Sequence, residues 1–243
     1  MSKLLEKKPI LHAVLWIIIY IVLVNIGDAF SEQLQIQNSV TSLLLLALSL
    51  GLLVYVWRTN RMKAFGVQTI TKKDFRIALF YIPLILIALS QYLGPINPAL
   101  STAEIAFAIL LMLNVGFLEE LIFRGFLYQG INSQSGVKRA VIISGITFGL
   151  GHIVNLLRGY GAAQQIEQIL LGITLGIGLA LLVAITKSII PGFIFHSLLN
   201  TGGTIIQQSD TLETYTVILA LVLSAVYAVY LYRYAQKNTT LLN

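Results

Sequence analysis

The chain has 243 residues, of which 57% are hydrophobic and 11% charged, with a net charge of +6 and no cysteine. A soluble domain carries about 25% charged residues, so this composition excludes an ordinary water-soluble fold. The absence of cysteine removes disulfides, thiolate nucleophiles and cysteine-ligated metal.

Apolar segments fall at about 10–28, 38–57, 77–95, 103–127, 139–157, 165–186, 188–208 and 214–234. Most reach the length of about 18 residues needed to cross a hydrocarbon core. They run continuously rather than alternating, which predicts helices and not barrel strands. The first run follows Lys3, Lys7 and Lys8 and resembles a signal peptide. It is long for one, and no small-x-small cleavage site follows it, so it reads as an uncleaved first span. The connections are short except for the polar stretch Arg58 to Arg76, and no linker or repeat divides the chain. The expectation is one all-α domain over residues 1–243, a polytopic bundle of about eight transmembrane helices with both termini cytoplasmic.

The basic residues test that layout. With the N-terminus inside, Lys3, Lys7, Lys8, Arg58, Arg61, Lys63, Lys72, Lys73, Arg76, Lys138, Arg139, Lys187, Arg233 and Lys237 all fall on the cytoplasmic side. Only Arg158 falls outside, and Arg124 lies within or near a span. This is the positive-inside asymmetry, and it accounts for the basic charge without nucleic acid.

Ionisable groups inside spans cost several kcal/mol and mark functional sites. Glu119, Glu120 and Arg124 lie in the fourth segment, His152 in the fifth, His196 and Asn200 in the seventh. Glu120 and Arg124 are four apart, share a helical face and can pair as a plain salt bridge. That leaves Glu119, about 100° around the helix, without a role in the pair. His152 follows Gly145, Gly149 and Gly151, residues that also suit close helix packing. His196 and Asn200 are four apart, fit polar glue between helices, and can also both donate toward one point. Pro191-Gly192 suggests a bent or late-starting helix beside them. Rises of about 1.5 Å per residue from the nearest cytoplasmic anchors put Glu119, His152 and His196 in one middle layer, some 14–20 Å deep.

Glu-Glu-x-x-x-Arg, Phe-x-x-x-His and His-x-x-x-Asn, each on its own span and in this order, resemble the motifs of the CPBP family. That family holds the CAAX prenyl endopeptidases and the bacterial Abi-type and bacteriocin-processing or immunity proteins. The resemblance covers about residues 103–208 and implies an intramembrane endopeptidase. By motif position, Glu119 and His152 would activate a water, His196 and Asn200 would stabilise the oxyanion, and Glu120 and Arg124 would support the site. The implied partners are the bilayer and a membrane-associated peptide or protein, and the implied location is a cell membrane, most simply a bacterial plasma membrane.

Three alternatives stand beside this reading. Glu119, His152 and His196 form a two-histidine, one-carboxylate set that zinc would accept, although no His-Glu-x-x-His pair is present; the expectation is no cofactor. The fold could act as a non-catalytic scaffold or bacteriocin immunity protein. A proton-coupled transporter would show inverted repeats, and none is visible. A rhomboid-type Gly-x-Ser-Gly nucleophile and an intramembrane aspartate pair are both absent, and Ser144 and Ser197 read as ordinary helix serines.

Overall fold

A computed structural model describes residues 1–69, 81–154 and 161–237. Lys72, Lys73, Arg76, Arg158 and parts of the third and fifth expected spans lie outside those residues. The described chain is all-helical: α1 (Ser2–Lys7), α2 (Pro9–Gln33), α3 (Ser39–Arg58), α4 (Ile82–Ser90), α5 (Thr102–Glu119), a π-helical segment (Glu120–Tyr128), α6 (Gln129–Gly151), α7 (Ala162–Thr186), α8 (Ile190–Ile205) and α9 (Asp210–Lys237).

Five stretches among the described residues are long and apolar enough to cross a membrane: Pro9–Gln33, Ser39–Arg58, Thr102–Val154, Gln165–Thr186 and Thr211–Lys237. This is a multi-pass membrane protein. The third stretch, 53 residues, is folded back on itself. Gly136 takes φ 79° and ψ 168°, a left-handed setting that suits glycine. About this point Ser144 meets the Phe123 carbonyl and the Phe148 ring meets that of Phe123. Expected spans four and five are therefore one hairpin. Two expected spans are shorter as helices: α4 has nine described residues and α8 has sixteen. In α8 the cause is local, since Pro191 opens the helix and Ile206 leaves it in extended conformation.

Contacts give the direction of each helix. His12 meets Tyr55 while Ser31 meets Thr41, so α2 and α3 are antiparallel. Thr174 meets Ser224 and Gly178 lies against Tyr227, so α7 and α9 are parallel. One end of the bundle gathers the start of α2 against Gly130, Arg61 on Glu6 at 3.2 Å, and Gln68 on the Lys187 carbonyl. Lys7, Lys8, Arg58, Arg61, Lys63 and Lys187 lie at or beside these contacts, whereas Arg124 is buried. The other end holds the α2–α3 turn, Gln91 against Gly202, and the isolated bridge of Ile96 with Ile206. Exposed Leu11, Val14, Ile18, Val22, Ile26 and Phe30 form a stripe at helical spacing on α2, the signature of a face turned to lipid.

The closest packing joins α6 and α7. A Cβ on Gly145 would stand 2.7 Å from the Ile177 nitrogen, one on Gly176 2.7 Å from the Gly145 carbonyl, and one on Gly172 2.9 Å from the Gly149 Cα. Gly145-x-x-x-Gly149 thus crosses Gly172-x-x-x-Gly176, backbone on backbone. Lipid offers no hydrophobic drive between helices, so such van der Waals contact carries much of the association. The packing role expected of Gly145 and Gly149 is met. Gly149→Leu is expected to lower the thermal midpoint in detergent, with a cost of about 1–3 kcal/mol from overpacking. Gly51→Leu is the control, because nothing lies within 4 Å of a Cβ there.

Candidate active site

Five helices and the π segment place the polar groups. Glu119 ends α5 and Glu120 begins the π segment. A π turn holds more residues than an α turn, and such segments are frequent at functional sites. The widening exposes backbone carbonyls, and Ser144 donates its hydroxyl to that of Phe123 at 3.0 Å. Ser197 is packed so tightly on Gly116 that a Cβ there would lie 3.0 Å from the Ser197 nitrogen.

The two carboxylates part in environment. Glu120 and Arg124 are both 0% exposed and pair at 3.1 Å, as their spacing predicts. The Arg124 guanidinium also sits 4.2 Å over the Phe148 ring centroid, a cation–π contact strengthened by exclusion of water. Glu120 lies directly against Gly192, where a Cβ would overlap its Oε2. Pro191 therefore opens α8 and Gly192 lets that helix approach the carboxylate. Glu119 remains 15% exposed and accepts a hydrogen bond from the Tyr20 hydroxyl at 3.2 Å.

His196 joins the pair from α8. Its Nδ1 stands 3.1 Å from Glu120 Oε1 and 3.9 Å from Glu119 Oε2. Phe148 stacks on the His196 ring at 5.3 Å and receives the edge of His152 at 5.3 Å. His152 follows α6 in a 3-10 turn, its Nδ1 3.2 Å from the Phe148 carbonyl and its ring against Gly172. Gln165 donates to the His152 carbonyl at 2.9 Å. The glycine crossing of α6 and α7 thus sets the position of His152.

Glu119, His152, His196 and Asn200 all line one cavity of about 820 Å³, together with Tyr20 and Phe148. Glu120 and Arg124 are not in its wall. The structure brings the six residues singled out in the sequence to one centre and divides them, four on the cavity and two sealed behind it. Among the described residues no three His, Cys, Asp or Glu side chains are gathered so as to hold a metal ion, so the Glu119, His152, His196 set does not form a ready ligand shell. Sequence reasoning missed Tyr20, the seating of Glu120 on Gly192 and the bridging role of Phe148. A tyrosine hydroxyl in the middle of an apolar span was the available signal for the first.

An all-helical membrane bundle with a buried acid–histidine centre defines the class. Within it, residues 101–202 match the family model described as Type II CAAX prenyl endopeptidase Rce1-like, a family of peptide hydrolases. The match covers 102 of the 243 residues and contains all three motifs. No curated protein matches the chain.

Proposed function

We propose that the protein is an intramembrane endopeptidase that hydrolyses a bond in a small membrane-associated, lipidated or leader peptide, with water as the nucleophile. The observation that carries this reading is the shared cavity of Glu119, His152, His196 and Asn200, with an ion pair sealed behind it. The partners are the bilayer and the peptide.

In the proposed mechanism Glu119 takes a proton from the water as it attacks the peptide carbonyl. Glu119 is the carboxylate of the pair that faces the cavity, as a general base must. His152 shares or relays the proton toward the leaving amine. His196 and Asn200 donate to the developing oxyanion, in a setting of low dielectric where such donors are worth most. Glu120 anchors the ring of His196, and Arg124 balances Glu120. No metal takes part. Both termini lie in the cytoplasm with about eight spans between them, in a bacterial plasma membrane.

Asn200→Ala is expected to lower kcat by about 10²–10³, the loss typical of one oxyanion donor, with KM nearly unchanged. The assay is cleavage of a leader-type peptide by protein reconstituted in liposomes. Activity should survive strong chelator; loss restored by zinc alone would replace the glutamate mechanism with a metal one. Equal cleavage by wild type and Asn200→Ala would remove the oxyanion assignment.

A further inference from the structure

The cavity runs along α2 from Ile17 and Tyr20 to Asp28, so that helix serves as a ruler along it. At the start of α2, His12 and Trp16 belong to an aromatic cluster. The Trp16 indole donates to His12 Nε2 at 3.0 Å, and the Tyr55 hydroxyl lies 3.1 Å from the same nitrogen. Phe126 packs its ring on His12 at 4.9 Å, and Phe65 packs on Phe126 at 4.9 Å. Phe126, Leu127 and Tyr128 are buried beside them. None of these residues lines the cavity. They close the end at which the basic residues lie.

Tyr20, two turns further on, is level with Glu119. Beyond it, Asn25 and Asp28 line the same cavity, as do Asn38, Gln91 and Thr204 from other elements. All of these lie toward the end where the α2–α3 turn and the Ile96–Ile206 bridge are found. From Tyr20 to Asp28 is about 12 Å at the helical rise. An extended chain of about four residues, at roughly 3.3 Å each, spans that distance. About the level of Glu119 the wall is apolar, with Ile17, Phe123 and Leu171, whereas Asn25, Asp28, Asn38 and Gln91 make the mouth polar.

We infer that substrate enters end-first from the bundle end opposite the basic residues. Taken with the protease reading and its orientation, on which this inference rests, the substrate is a peptide presented at the extracytoplasmic face. Such a peptide has a hydrated stretch at the mouth and apolar side chains below it. Positive-inside residues and cavity mouth lie at opposite ends, so a peptide confined to the cytoplasm meets the aromatic floor instead.

The chain contains no cysteine, so single cysteines report cleanly. Asn25→Cys and Thr204→Cys mark the mouth; Lys63→Cys and Lys138→Cys mark the basic end. Intact cells are treated with a membrane-impermeant maleimide, before and after permeabilisation. The expected result is labelling of both mouth variants in intact cells, and of both basic-end variants only after permeabilisation. Mouth variants that label only after permeabilisation, or in neither condition, overturn the inference. Labelling needs no cleavage, so a mouth open to the outside in a protein without peptidase activity would sink the protease reading alone. Cleavage by a protein whose mouth labels from the cytoplasm would sink the access route alone.

Discussion

Glu119→Gln is expected to reduce peptide cleavage by about 10²–10⁴, the range for loss of a positioned general base. The amide keeps the size of the side chain and can still accept from Tyr20, whose hydroxyl reaches Glu119 at 3.2 Å. The fold should therefore survive, as read by an unchanged thermal midpoint and a single peak in size-exclusion chromatography. His152→Ala should fall in the same range. Tyr20→Phe removes a hydrogen bond from Glu119 but no reacting group, so its loss of activity should be smaller. If Glu119→Gln and His152→Ala both cleave at the wild-type rate, the mechanism is wrong.

The second large effect is on stability. Glu120 and Arg124 are fully enclosed and paired at 3.1 Å. Removing one partner of a buried pair leaves an uncompensated charge and costs about 3–5 kcal/mol. Arg124→Leu is expected to be the worse single change, since it strands Glu120 and also takes the guanidinium from the Phe148 ring. Glu120→Leu strands Arg124 and frees His196, whose Nδ1 lies 3.1 Å from the lost carboxylate. The double variant should unfold at a higher temperature than either single one, because two matched apolar groups need no compensation. Midpoints measured in detergent for the four proteins complete the cycle. A double variant less stable than both single ones would show that the pair is not the partnership described.

Much of this was legible because lipid simplifies the reading. Apolar length marks spans, and a charge inside a span needs a reason. Counting helical rise from Arg139 and Lys187 placed His152 and His196 in one layer, and Phe148 does touch both rings. The spacing of Glu120 and Arg124 read correctly as a pair. What escaped depended on departures from regular helix. The π segment carries no periodicity of its own within Glu120–Tyr128. Gly192 is small because Glu120 lies on it, a contact between residues 72 positions apart that no local pattern records. His12, the third histidine, belongs to none of the three motifs and is part of the aromatic cluster with Trp16 and Phe126.

The hinge residue of the fourth and fifth spans and the serine on the Phe123 carbonyl hold a stretch of chain that has, in effect, one residue more than its length requires. Deleting a single residue between Leu121 and Leu127 would let the stretch rewind as ordinary α-helix, at little expense in backbone hydrogen bonds. The widened turn is what absorbs the extra residue, so the helix on either side of the deletion would keep its facing, while the Phe123 carbonyl would return to the helical ladder and leave the Ser144 hydroxyl without its partner. A chain so shortened would separate what the widened turn contributes to the centre from what the motif residues contribute.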